Sequence, residues 1–263
     1  MFSARRFAAN CSMLFGDVPV LEQAARAAAA GYDMVEFWWP FERSVPDDAE
    51  VTRFVEAVGA AGPQVIAMNF TLGDAVAGER GIVSDPARIA EFREHLDVLA
   101  GIVARLGVLR CCVPYGRVPV GRRLSAHQET AIANLAVASD RLRTVGAVPM
   151  LEPLSGVADY PITTAEAAED IAVRVDSALG RAGTVGILAD LYHLAANGAD
   201  IEAVLRRHIK RIVHVQVADF PGRHEPGTGR LDIDRYLAVL NELGYHGHFA
   251  LEFVPSPGDR RST

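Results

Sequence analysis

Few markers of a special-purpose chain are present. Cysteine occurs three times in 263 residues, at Cys11, Cys111 and Cys112. An odd, low count makes no disulfide framework. Cys111 and Cys112 stand together in the apolar run 108–113, where cysteine behaves as a small hydrophobe, and a reducing cytoplasm is the expected compartment. No apolar run approaches the length that crosses a bilayer, so no membrane association is expected. The opening MFSARRFAANCSMLFGD carries two arginines, but Asn10 and Ser12 interrupt its apolar residues, and it does not read as a signal peptide. Positive charge is scarce: Lys plus Arg number 26 against 33 Asp plus Glu, a net charge of −7. The pairs Arg122-Arg123 and Arg206-Arg207 are too short to track a phosphate backbone, so a nucleic-acid partner is not expected. Also missing is the Gly-rich turn that an open, doubly wound sheet places after an early strand, because GERG and GTG fall after the third and seventh candidate strands with the wrong spacing.

What is present is alternation. Half of the residues are hydrophobic, enough for a large core. Short apolar runs alternate with helical periodicity from end to end. The patterns predict strands at 6–10, 34–37, 64–69, 109–113, 148–152, 185–190, 211–218 and 249–253. Helices are predicted over 18–30, from about 47 to before Gly62-Pro63, over 86–106 with Asp85 as N-cap, and from Ser125, whose Gln three positions on suggests a capping box. Further helices are expected after Thr163 or Thr164 and over 233–243. The eighth helix is weak or missing. Strand–helix alternation implies parallel strands with right-handed crossovers, and eight units in about 250 residues match a closed (β/α)8 TIM barrel. The expectation is an α/β fold in a single domain over 1–263, with the last eight or so residues peripheral.

Barrel sites lie where the strands run out. Strand one ends at Asn10, strand two at Glu36 and strand three at Asn69. Strands five to eight close on Glu152, Asp190, Gln216 and Glu252. One polar terminus is commonplace. Four neighbouring termini bearing only oxygen ligands suit a hard divalent ion, Mg2+ or Mn2+, whose charge also relieves the repulsion between three carboxylates. His193, three residues after Asp190, is a ligand, a donor to substrate or a packed helix-start histidine. His214 shares its strand face with Gln216 and is expected one layer deeper. In the loop after strand seven, Arg223 is the first candidate for a substrate carboxylate, with Glu225 beside it, and the pair Glu79-Arg80 offers Arg80 as a second. The aromatic run 37–41 either walls the pocket or serves packing.

At these residues the sequence resembles the hydroxypyruvate isomerase family, within the xylose-isomerase-like sugar isomerases and epimerases. The resemblance covers nearly the whole chain. It is carried by FAANCSMLFGDVPVLEQAARAAAAGYDMVEF, GDAVAGERGI, LEP at 151–153, DLYH at 190–193, and HVQVAD with PGRHEPGTG. It implies that Glu152, Asp190, Gln216 and Glu252 bind a metal and that Glu152 and Glu252 shuttle a proton. It also implies a small hydroxy-oxo acid as substrate, most directly hydroxypyruvate converted to tartronate semialdehyde. The alternatives are 2-oxo-tetronate isomerisation, ketose 3-epimerisation on the same metal core, and a non-catalytic sugar-acid binder. Homo-oligomers are compatible with the sequence. The chain departs from the family at Met68, Ser155 and Arg230, all on the substrate side.

Overall fold

The computed structural model describes residues 7–256, so Arg6 of the first predicted strand and the peripheral tail from 257 onward lie outside the described residues. Eight parallel strands form one closed barrel in sequence order. They are β1 (Ala8–Asn10), β2 (Met34–Phe37), β3 (Gln64–Asn69), β4 (Arg110–Cys112), β5 (Val148–Leu151), β6 (Gly186–Asp190), β7 (Ile212–Val217) and β8 (His248–Leu251). The second and third agree with the predicted limits residue for residue.

The apolar faces explain the closure. Each of β3, β4, β5 and β6 contributes one residue to a small cluster of Ala67, Cys112, Met150 and Leu188. A far larger cluster joins the strands to the helices around them, including Val35, Phe54, Leu99, Leu135, Ile171 and Val215. This is the two-shell packing of a filled barrel.

The helices start where backbone donors find acceptors. In α3 (Asp48–Ala61), Asp47 and Glu50 form a reciprocal capping box. Asp85 caps a 3-10 turn, Pro86–Arg88, that leads into α4 (Ile89–Leu106). The Thr164 hydroxyl caps α6 (Ala165–Leu179). The last helix, α9, is Ile233–Glu242.

Three expectations need correction. The helix predicted to open with a Ser125 capping box instead begins one residue earlier, as α5 (Leu124–Arg143), with Arg123 at the N-cap and no side-chain cap. A short helix, α1 (Cys11–Leu14), precedes α2 (Val20–Ala29), because Asn10 ends β1 and its side chain accepts from the Met13 amide. After β6 there are two short helices, α7 (Leu191–Ala196) and α8 (Ile201–His208), separated by a turn at Gly198. No helix follows β8 among the described residues.

Candidate active site

The strand ends place a dense set of buried polar groups at one mouth of the barrel. Glu36, Asp190 and Glu252 are 2%, 1% and 3% exposed, and Asn10, His193, His214 and Gln216 are buried with them. Burial at this density requires that each group be paired or charge-compensated.

Asp190 closes β6 and caps α7, its Oδ1 accepting from the amides of Tyr192 and His193 at 2.8 and 3.4 Å. That leaves Oδ2 facing the mouth. Arg223 Nη2 lies 2.8 Å from Glu252 Oε2 and 3.4 Å from Asp190 Oδ2, so one nitrogen touches carboxylates from two strands. The other oxygen of Glu252 accepts from Trp38 Nε1 at 2.7 Å and Asn10 Nδ2 at 3.1 Å. Glu252 is therefore fixed in orientation by groups from β1, the loop after β2 and the loop after β7. Glu152, at the end of β5, accepts from Cys112 Sγ at 3.6 Å.

His193 completes this group. Its Nδ1 accepts the Ser155 amide at 3.1 Å and lies 2.7 Å from the Ser155 hydroxyl. Since Nδ1 accepts, the proton of the neutral ring sits on Nε2, 3.8 Å from Glu152 and 3.7 Å from Asp190. Burial lowers the His193 pKa, which keeps the ring neutral at neutral pH. Glu152, Asp190 and His193 each offer one ligand atom within 4.8 Å of the others.

Electrostatics follow from the burial. Burial first, then Asp190, pushes the Glu152 carboxyl up to about 8, partly opposed by Arg223. Burial also raises Glu252, with Arg223 opposing and Glu152 adding to the shift. Burial alone would lower the Arg223 pKa, but Glu252, Asp190 and Glu152 outweigh it and the net shift is upward. A site with more negative charge than one guanidinium compensates is suited to a cation.

Gln216 provides the test of fit. Its Nε2 donates to Glu36 Oε1 at 2.6 Å, which turns the amide one way. Its Oε1 is buried and has no partner. A buried carbonyl oxygen left unpartnered on the strand next to Asp190 is an oxygen donor of the kind a hard divalent cation takes. Glu36 also accepts from Asn10 at 2.9 Å and pairs with His214 Nε2 at 2.7 Å, so Glu36 orients the amide and His214 orients Glu36.

Of the other residues singled out from sequence, Asn69 ends β3 half-buried at the mouth. Arg80 is spent on backbone carbonyls, Glu79 O at 2.6 Å and Ala75 O at 3.4 Å. Glu79 pairs with Arg88 instead. Glu225 is buried and accepts from the amide and hydroxyl of Ser256. Asn10 and Trp38 touch Glu252 directly, although sequence reasoning gave them no such role. The signal for Asn10 was available, because it is the polar terminus of β1.

The loop after β7 is built around Asp219, whose carboxylate accepts from the amides of Phe220, Gly227 and Leu231 at 2.8, 2.8 and 3.0 Å. Burial opposes ionisation, but these amides outweigh it and lower the pKa. Gly229 permits this closure, since a Cβ there would lie 2.4 Å from Asp219 Oδ1. Arg223, held in the loop with φ +58 and stacked over Tyr192, adopts a backbone that costs a non-glycine residue about 1 kcal/mol or more. Such strain, kept where a side chain meets buried carboxylates, is typical of working sites.

Comparison with known proteins agrees with the barrel fold. Residues 24–262 match the family model described as a xylose isomerase-like TIM barrel. The chain is 37% identical to a putative hydroxypyruvate isomerase of Streptomyces coelicolor, covering all of this chain and 94% of the relative. It is 31% identical to a 2-oxo-tetronate isomerase of Cupriavidus necator, covering 96% and 94% of the two chains. Among solved structures it superimposes with a TM-score of 0.85 and 30% identity on a Brucella melitensis protein described as a family 2 AP endonuclease, over 96% and 94% of the two chains.

Proposed function

Because the chain belongs to the xylose isomerase-like TIM barrel family, we propose that it is a metal-dependent isomerase of a small hydroxy-oxo acid, converting hydroxypyruvate to tartronate semialdehyde. The observation that carries this reading is the pair of buried glutamates, Glu152 and Glu252, both tied to Asp190: Glu152 shares a possible ligand set with Asp190 and His193, and Arg223 bridges Glu252 to Asp190.

Moving a carbonyl to the adjacent carbon requires loss of a proton α to it and return of a proton one carbon along. Glu152 takes the proton from C3, the C3 hydroxyl proton passes to the C2 oxygen, and Glu252 delivers a proton to C2, so the enediolate is flanked by a base and an acid and no redox partner is needed. Their environments differ in the way this exchange needs. Glu252 has three donors fixing its orientation, whereas Glu152 has only a weak thiol donor and a neutral imidazole nearby. Glu152, Asp190, Gln216 and Glu252 would hold a divalent cation, which would supply positive charge where the oxyanion develops. His193 donates its Nε2 proton to a substrate oxygen, and Ser155 fixes that tautomer. Arg223 receives the substrate carboxylate: it already reaches the carboxylates of the mouth through Nη2, and its Nε is buried without a partner. Trp38 closes the pocket against water and holds Glu252.

A second reading, isomerisation of 2-oxo-tetronate, is favoured by the C. necator relative and uses the same steps on a longer acid. A nuclease reading, suggested by the description of the B. melitensis structure, lacks support in a chain with a net charge of −7. The test is a substrate panel of hydroxypyruvate, 2-oxo-tetronate and uncharged ketoses, assayed with added Mg2+ or Mn2+. The acids are expected to turn over and the ketoses to lag by about tenfold or more, since a carboxylate–arginine pair is worth a charge-assisted hydrogen bond. Equal turnover of an uncharged ketose would remove Arg223 from the scheme and favour epimerisation.

A further inference from the structure

The loops after β3 and β4 enclose a second cavity of about 540 Å3 at the same end of the barrel. Its wall contains none of Glu152, Asp190, Gln216, Arg223 or Glu252, so it is separate from the site above. Within a chain of net negative charge this wall is basic. Arg88, Arg117, Arg122 and Arg123 line it against only two acids, Glu79 and Asp85.

The acids are already engaged. Glu79 pairs with Arg88, which also binds Glu91, and the Asp85 carboxylate accepts from the Ala87 amide. Arg117 is held by Ala158 O and Asp159. Arg122 and Arg123 are exposed, adjacent, and have no acidic partner among the described residues. Two guanidinium charges therefore remain uncompensated at the cavity.

Neutral donors converge on the same place. α5 begins here with no side-chain cap, and among the described residues the amides of Leu124 and Ser125 have no acceptor. The positive end of this twenty-residue helix is thus uncapped beside the cavity, whose wall includes Ala126 and His127 of its first turn. Two buried side chains of the wall also lack partners: Ser84, 1% exposed, through Oγ, and His127, 6% exposed, through Nδ1. Buried polar atoms are rarely left unpaired, and two on one cavity wall point to a ligand that pairs them. The wall is rigid where it matters, because a Cβ on Gly81 would lie 1.9 Å from Pro114 O, so the two loops press directly on each other.

We propose that this cavity binds the phosphate group of a small phosphorylated metabolite. A hydroxyl, an imidazole and two guanidinium groups line one cavity beside the positive end of α5, which suits a phosphate dianion with several acceptor oxygens better than a carboxylate with two. The volume exceeds that of one phosphate ion and leaves room for the rest of the metabolite. A nucleic-acid backbone fits less well, since the basic residues enclose one cavity and do not form a stripe.

Isothermal titration calorimetry at fixed ionic strength tests this with inorganic phosphate, glycerol 3-phosphate, glycerate and a single-stranded oligonucleotide as probes. The expected result is one saturable site per chain for both phosphates, with the ester binding more tightly. The double variant Arg122→Gln/Arg123→Gln, changed only at exposed positions, should weaken both by about tenfold or more, the loss expected for charge-assisted hydrogen bonds, and leave turnover of the acid substrate unchanged. Absence of saturable phosphate binding, affinity unaltered in the double variant, glycerate binding as tightly as the ester, or the oligonucleotide binding more tightly than the ester would each overturn the proposal.

Discussion

Glu152 and Glu252 share one pocket but differ in how they are held, and the proposed chemistry depends on that difference. Replacing either by Gln keeps the shape and removes proton transfer, so kcat should fall about 100- to 10,000-fold in steady-state assays while thermal stability holds or rises. Glu36 acts at one remove. Its carboxylate accepts a hydrogen bond from the Gln216 amide nitrogen, and Glu36→Gln lets that amide turn over. Mn2+ affinity measured by calorimetry should then drop about tenfold, within the range known for residues that orient metal ligands. Away from the site, His95 bridges two loops: its Nε2 accepts the Thr71 amide at 3.1 Å, and its Nδ1 lies 2.8 Å from Ser44 O. Burial lowers its pKa to about 4, with Ser44 and Glu91 opposing. The folded state therefore binds the proton less readily than the unfolded chain. This contribution to stability is present above about pH 6.5 and is lost as the pH falls towards 4, a change on the order of 3 kcal/mol. Chemical denaturation across that range should show the slope in the native protein and a flatter one in His95→Gln.

These single-residue roles were unevenly legible. The polar termini of β5 to β8 could be read because each follows an apolar run. The bonds from Asn10 and Trp38 to Glu252 could not, because they join residues 242 and 214 positions apart and depend on barrel closure. Cys112 read as a hydrophobe, which it is by burial, yet its thiol also meets Glu152.

At the scale of elements, the strands were the most readable part, since continuous apolar runs between polar punctuation define them. Helix starts were legible where a side chain caps them, as at Asp47, Asp85 and Thr164. They were misread where a polar residue lies inside the first turn without capping it, as Ser125 does in α5. The loop after β7 shows what sequence alone leaves out. Its Pro-Gly-Thr-Gly turn was visible, but Asp219 as the acceptor for three of its amides was not. That loop carries Arg223, so Asp219→Ala should loosen it at a cost of about 3 kcal/mol for lost bonds to a charged acceptor. Calorimetry should record a lower Tm, and the KM for the acid should rise more than kcat falls.

For the whole molecule, the barrel brings side chains from β1, β2, β5, β6, β7 and β8 to one mouth, and buried negative charge accumulates there. A fold that tolerates this without a cation would keep some carboxyls protonated, as the upward shifts of Glu152 and Glu252 indicate. Metal removal by chelation should therefore abolish turnover, and re-addition of Mn2+ should restore it. The most direct measurement is solvent exchange. The protein is incubated with hydroxypyruvate in D2O, and the α-proton is followed by NMR. The account predicts that deuterium enters C3 of the substrate only with the cation and Glu152 present, so that this exchange disappears in Glu152→Gln, and that Glu252→Gln abolishes deuterium delivery to C2 of the product. Native-rate exchange at C3 in Glu152→Gln or in thoroughly metal-stripped protein, or native-rate deuterium delivery to C2 in Glu252→Gln, would contradict it.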